Sequence, residues 1–234
     1  MKERIQKILS SCGIASRRGA EEMIRQCRVL VNGSPCTLGD TADPACDQIL
    51  VDGKELPAEP EKVYLMLHKP RGYVTTLSDE RGRKTAASLV DCGSRVYPVG
   101  RLDMDSEGLL LFTNDGELAH RLMHPRGEIK KTYKVIVRGN WKGAEILLKR
   151  PIVLDGYRIR PPVVKLLEGE GDRAVFEITI HEGRNRQIRR MCEAAELQVL
   201  RLCRIKEGAL ELGKLPAGKW RMLTAEELSV LMKE

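Results

Sequence analysis

"VGRLDMDSEGLLLFTNDGELAHRLM", residues 99–123, carries three local signals in succession. Leu109, Leu110, Leu111 and Phe112 form a short apolar run that reads as a buried strand. Asn114-Asp115-Gly116 is a turn, and the remainder reads as a helix. Ahead of the strand, Arg101, Asp103 and Asp105 lie within five positions of one another, close to what should be core. In extended backbone Arg101 and Asp103 share a face, so they can pair or share a ligand. The Asp103-x-Asp105 spacing matches metal sites of some glycosyltransferases, although no neighbouring acid cluster completes an oxygen shell. Equally, such acids can cap backbone amides in a polar loop.

Strands dominate the sequence around this stretch. Upstream, "VYLMLHKPRGYVTT" reads as a buried strand broken by Lys69-Pro70 and Gly72. Downstream, "KKTYKVIVRG" is a strand, and residues 163–181 form a hairpin around "EGEG". In its second arm Ala174, Phe176, Ile178 and Ile180 alternate with Val175, Glu177 and Thr179. "RNRQIRRMCEAA" is helical, with Ile188, Met191, Cys192 and Ala195 on one face. Arg184, Arg186, Arg189 and Arg190 crowd the start of that helix and repel one another unless phosphates or carboxylates offset them. Thr224 and Glu227 have capping-box spacing. The pattern predicts an α+β domain with a mixed sheet and helices packed against it. His120 and His124 have the i, i+4 spacing of a zinc pair, but no third ligand is apparent and Pro125 follows; His124 is expected to help end the helix.

Residues 1–60 read as a separate unit. Ile5, Ile8, Leu9 and Cys12 line one face of a helix that Gly13 ends. Ser16 caps a second helix, on which Ala20, Met23, Ile24 and Cys27 repeat the spacing. "RVLVNG" and "QILVDG" are strands running into Asn-Gly and Asp-Gly turns. Lys2, Lys7, Arg17, Arg18, Arg25 and Arg28 occupy the opposite helix faces. "GKELPAEPEK", residues 53–62, is the expected linker to a second domain spanning 61–234.

Charge is distributed unevenly. Residues 1–31 are net +4, residues 32–60 net −5 and residues 61–234 net +8, within an overall +7. Such local basic density suits a polyanion such as nucleic acid. Aromatics make up only 4% of the chain, so base stacking falls to few residues. The seven cysteines are odd in number and include no C-x-x-C pair, which argues for small buried hydrophobes in a reducing compartment rather than disulfides or a zinc ribbon. No apolar run is long enough to span a bilayer, and "MKERIQKILSSCG" has no signal-peptide core, so a cytoplasmic location without a membrane partner is expected. No leftover apolar face stands out, and a monomer is expected.

"RIQKILSSCGIASRRGAEEMIRQCRVLVNG" resembles the S4 RNA-binding domain nearly end to end. The likeness rests on the "GIASRR" junction, the "AE-x-x-I" helix and the "RV-x-VNG" strand; Cys27 stands where that family usually has glycine. The resemblance implies that Arg17, Arg18, Arg25 and Arg28 face structured RNA. Farther on, "KPRGYVTT", "YPVGRLDMDSEGLLLFTNDGELAHRLMHP", "KTYKVIV" and "HEGRNRQIRRM" stand in the order seen in bacterial rRNA pseudouridine synthases of the RsuA/RluB family. Ser106 replaces a frequent threonine and keeps the hydroxyl.

This second resemblance covers practically the whole chain. It implies conversion of a uridine in ribosomal RNA to pseudouridine: the N1–C1′ bond breaks and the base rejoins through C5, with no metal or cofactor. The catalytic carboxylate would be Asp103, as nucleophile at C1′ or as base toward the 2′ position. Arg189 would keep it ionised, Ile188 would pack on the uracil, and Tyr133 would stack on the base and help remove the C5 proton. Arg101 would occupy the place vacated by the flipped nucleotide, or hold the loop, and Asp105 would brace the loop through backbone hydrogen bonds. Lys69, Arg184, Arg186 and Arg190 would contact RNA. The large-subunit 23S rRNA is the expected target. Small-subunit 16S rRNA, a non-catalytic S4-containing assembly factor and a metal-dependent D-x-D transferase remain as alternatives.

Overall fold

The computed structural model describes residues 1–124 and 129–233, so Pro125, read above as following the helix end, lies outside the described residues. Two compact units divide the chain, residues 1–62 and 63–234.

In the first unit, strand β1 (Glu3–Arg4) leads into helices α1 (Ile5–Ser11) and α2 (Arg17–Arg25). Ile5, Ile8 and Leu9 of α1 and Ala20 and Ile24 of α2 form its core. The Ser16 side chain accepts from the Gly19 N–H at 3.0 Å, the expected N-cap. Cys27 is not on the helix face: α2 stops at Arg25, and Cys27 is an exposed residue with φ +55°. Its N–H donates to the Ile24 carbonyl, and the Arg28 N–H to that of Met23, the two bonds of a Schellman helix end. Strands β2 (Val29–Val31), β3 (Ser34–Pro35), β4 (Thr41–Ala42), β5 (Ile49–Val51) and β6 (Lys54–Glu55) follow. β1 pairs with β4, and the others form a sheet ordered β3-β2-β5-β6. Asn32-Gly33 and Asp52-Gly53 all have positive φ, as two-residue hairpin turns require. Lys54 and Glu55 therefore belong to a hairpin, and the stretch without regular structure is 56–63 rather than 53–62.

In the second unit the strands are β7 (Tyr64–Lys69), β8 (Tyr97–Val99), β9 (Glu107–Thr113), β10 (Lys131–Arg138), β11 (Val153–Leu154), β12 (Tyr157–Arg158), β13 (Val163–Glu170), β14 (Arg173–Ile180), β15 (Gln198–Glu207), β16 (Leu210–Glu211) and β17 (Trp220–Met222). Helices α3 (Gly116–Met123), α4 (Ala144–Leu148), α5 (Gln187–Ala194) and α6 (Ala225–Leu231) intervene. The main sheet runs β13-β14-β10-β15-β9-β7-β17, with β8 beside β9 and β16 beside β15. Every pairing in it is antiparallel except β9 with β15, which gives the mixed, mainly antiparallel sheet expected for this α+β chain. β9 is buried along its whole length and separates two apolar clusters, one holding Leu110 and Phe112, the other Leu109 and Leu111. Ile188, Met191, Cys192 and Ala195 are all buried, as the helical spacing predicts. His124 is the C-cap of α3, and the Thr224–Glu227 capping box is formed.

Two expectations do not hold. The cysteines are all free, but only Cys36 and Cys192 are buried, and Cys27 and Cys46 are exposed. α4 and the edge strand β13 expose Ile146, Leu147, Val163 and Leu167, so an uncovered apolar surface does exist. Among the described residues no helix is long and apolar enough to cross a membrane.

Candidate active site

A cavity of about 690 Å³ opens beside the sheet in the second unit. One wall is the loop between β8 and β9, with Arg101, Leu102, Asp103 and Ser106. The opposite wall comes from β10 and β15, with Lys131, Tyr133, Leu202, Arg204 and Glu207. The entry to α5 closes the site with Arg184, Arg186, Gln187 and Ile188.

Every residue from 102 to 106 is tied to another part of the fold. The Thr75 hydroxyl donates to the Leu102 carbonyl at 2.7 Å. The Gly72 N–H donates to the Met104 carbonyl at 2.7 Å. The Lys69 ammonium donates to the carbonyls of Asp103 (3.0 Å), Ser106 (2.7 Å) and Pro70 (3.1 Å). "KPRGYVTT" is thus the brace of the Asp103 loop. Lys69 is 0% exposed, which corrects its placement as an RNA contact: a buried ammonium with three backbone acceptors has no donor left for phosphate. Burial pushes its pKa down to about 8, against the pull of the Asp103, Asp105 and Glu107 carboxylates.

The two aspartates have different surroundings. Both Asp105 carboxylate oxygens accept from Arg186, at 3.2 and 3.0 Å, and Arg189 Nε lies 3.3 Å from Oδ2. Arg189 also donates to the Asp105 backbone carbonyl at 2.9 Å. Burial alone would raise the Asp105 carboxyl, but the Arg186 hydrogen bond and the charges of Arg189 and Arg186 outweigh it and hold the carboxyl below its ordinary value. Asp103 faces the cavity, and its one ion-pair contact among the described residues is Arg186 at 3.9 Å. The direct Arg189–Asp103 contact implied by the resemblance is therefore replaced by Arg189–Asp105. Arg189 acts on Asp103 only as a nearby charge. Nor does Asp105 brace the loop chiefly through its own backbone bonds: its carboxylate is the anchor of the arginine segment. With both oxygens engaged by arginine, Asp105 is poorly placed to hold a metal through a D-x-D pair.

The arginines separate into distinct roles. Arg186, the N-cap of α5, has φ +50°, a strained conformation held by its two bonds to Asp105. Arg184 stacks 3.6 Å over the Tyr157 ring centroid while lining the cavity. Arg190 turns away, to Asp155 at 2.9 Å, and does not line the cavity. Arg101 is exposed at the rim and makes no ion pair with the described residues. In the first unit Arg17 and Arg18 are exposed without ion-pair partners among the described residues, Arg25 pairs with Glu22 at 3.2 Å, and Arg28 pairs with Asp52 through two bonds.

Sequence reasoning missed Lys131, Arg204 and Glu207. Arg204 is 1% exposed, with its Nε–H bonded to the Leu109 carbonyl at 2.8 Å and Nη2 at 3.2 Å from Glu207 Oε2. Lys131 lies 3.8 Å from Glu207. The signal for Arg204 was present: it falls in phase with Leu202, a charge at an inward position of an alternating strand. Glu207 is out of phase, and only a bulge explains it. Tyr133 pairs with Arg204 but Thr132 with Lys206, so the register shift at Ile205 turns Glu207 to the same side.

The sequence model of the family described as RNA pseudouridylate synthase matches residues 63–194, and that of the S4 domain matches residues 3–49. An uncharacterized RNA pseudouridine synthase of Aquifex aeolicus (strain VF5) is 44% identical over 238 residues, covering 100% of this chain and 95% of that protein. Ribosomal large subunit pseudouridine synthase B of Bacillus subtilis (strain 168) is 43% identical over 234 residues, covering 98% and 95%. A crystal structure of a pseudouridylate synthase superposes with TM-score 0.69 at 31% identity, covering 97% of this chain and 99% of that one. A family match spanning more than half of the chain, with relatives alike from end to end, makes this protein a member of the RNA pseudouridylate synthase family with an S4 domain at its N-terminus.

Proposed function

We propose that this chain converts a uridine of large-subunit ribosomal RNA to pseudouridine, with Asp103 as its catalytic carboxylate. The observation that carries the reading is the contrast between the aspartates: Asp105 is consumed by two arginines, while Asp103 sits in the cavity on a loop fixed at every residue. The relative from Bacillus subtilis named for the large ribosomal subunit supports the choice of RNA. An rRNA substrate puts the site of action in the cytoplasm.

Breaking the N1–C1′ bond leaves cationic character on the sugar, which an adjacent anion stabilises. Asp103 meets that need, whether it adds to C1′ or takes a 2′ proton. Arg186 lies 3.9 Å from the Asp103 carboxylate. The target base must leave its stack to enter the cavity. Ile188 then packs on the uracil, Tyr133 covers it and receives the C5 proton, and the exposed Arg101 fills the vacated place in the RNA. Arg184, stacked on Tyr157, and Arg186 guide the backbone; Arg17, Arg18 and Arg25 add phosphate contacts from the S4 domain.

The test is tritium release from C5-tritiated uridine in transcribed large- and small-subunit rRNA. Wild-type protein is expected to release tritium from the large-subunit RNA. Asp103→Asn should release none yet bind RNA, and Asp105→Asn should retain measurable activity. Normal turnover by Asp103→Asn, or release only from small-subunit RNA, would overturn the reading.

A further inference from the structure

The cavity wall opposite Asp103 contains a buried charge cluster that the mechanism above does not use. On the inner face of β10 and β15, Tyr133 pairs across the sheet with Arg204, and Lys131 with Glu207. Tyr133 and Arg204 both line the cavity. Arg204 is in turn held by the Leu109 carbonyl and by Glu207, which is 5% exposed. Burying a guanidinium and a carboxylate under a phenol is costly unless each is compensated. The compensation here is incomplete: Arg204 Nη2 and Glu207 Oε2 face each other at 3.2 Å, yet neither has an aligned hydrogen-bond partner among the described residues. A closed structural ion pair leaves no such atoms unsatisfied.

We propose that Arg204 and Glu207 are positioning residues that set the acid–base state of the Tyr133 hydroxyl for removal of the C5 proton; the inference rests on the pseudouridine synthase reading. Once C5 has bonded to C1′, C5 carries both the sugar and a hydrogen. The C5–H bond breaks, its electron pair forms the C5=C6 double bond, and the C6=N1 pair passes to N1, which takes up a proton. Tyr133, as phenolate, accepts the proton from C5 and later releases it to solvent. Arg204 favours the phenolate through its positive charge, and Glu207, 3.2 Å from Nη2, fixes the guanidinium in place. Burial raises the Tyr133 pKa, Glu207 and Asp103 add to the rise, and Arg204 opposes it. The bulge at Ile205 is what brings Glu207 to the same side of the sheet as Arg204.

The experiment compares three versions of one substrate RNA, with uridine, 5-deuterouridine or 5-fluorouridine at the target position. The fluorinated base has no C5 proton to lose. Glu207→Gln should slow turnover of uridine about tenfold or more and produce a primary isotope effect with the deuterated base. It should slow rearrangement of the fluorinated base far less. Combined with Tyr133→Phe, it should add little further loss. Should Glu207→Gln fail to fold, Glu207→Asp keeps the charge, and Arg204→Lys keeps a donor; both should show the same pattern more weakly. Equal losses on uridine and 5-fluorouridine, without an isotope effect, would overturn the proposal. A wild-type protein that rearranges none of these RNAs would instead overturn the underlying reading.

Discussion

At the scale of single residues, two charged side chains in one loop have opposite duties because of what surrounds them. Asp105 is bound by Arg186 and Arg189, whereas Asp103 keeps its carboxylate toward the cavity. Beneath them the Lys69 ammonium spends its three donors on three backbone carbonyls. Its pKa of about 8 in the fold lies below the free value of 10.5, so the native state releases this proton first as pH rises. Between those two values the unfolded chain binds more protons, and the contribution of Lys69 to stability increases with pH. The neutral amine, however, has two N–H donors for three carbonyls. Activity should therefore fall as pH rises through about 8 while the Lys69 contribution to folding does not. Rate and melting profiles recorded together between pH 7 and 10 check this; melting that falls in step with activity would refute it.

Among the elements, glycine and its absence decide two junctions. Gly108 lies inside β9, with φ +113°. A Cβ there would sit 2.2 Å from the Arg204 carbonyl oxygen and 2.5 Å from its nitrogen, at the single parallel pairing of the sheet. Gly108→Ala should cost about 3 kcal/mol or more, since neither backbone can move away. Urea unfolding of the variant measures it, and a near-neutral result would mean that the two strands can part. Cys27 presents the converse case, a side chain at a left-handed helix end. Such a residue costs roughly 1–2 kcal/mol, part of which glycine returns as chain entropy. Cys27→Gly should raise stability by about 0.5–1 kcal/mol, read as a shift in the urea midpoint of the first unit.

Across the whole molecule, a net charge of +7 is concentrated on particular surfaces, and ion pairing decides which cations remain for RNA. Arg17 and Arg18 have no ion-pair partner among the described residues, while Arg28 is held by Asp52. Removing a phosphate contact flattens the salt dependence of RNA affinity by roughly 0.7–0.9 in the log–log slope. Arg17→Ala with Arg18→Ala should flatten it by about twice that, and Arg28→Ala by much less. Filter binding at several salt concentrations distinguishes them; equal slopes for all variants would refute the assignment.

Much of the protein was determined by sequence alone, because its signals are local. The helix spacing of Ile5, Ile8 and Leu9, the Ser16 and Thr224 caps, the Asn32-Gly33 and Asp52-Gly53 turns and the alternation from Ala174 to Ile180 each act within a few positions. The family resemblance likewise lay in contiguous motifs and pointed to Asp103, Tyr133 and Ile188, all of which line one cavity. Tertiary structure decided which charge meets which. It moved Arg189 from Asp103 to Asp105, put Lys69 under the loop instead of on the RNA, and brought Glu207 beside Arg204 through a one-residue bulge. Ion-pair partners 84 positions apart are selected by packing and by the cost of burying an uncompensated charge, and a bulge reverses every face beyond it. Neither effect leaves a periodic trace in the sequence.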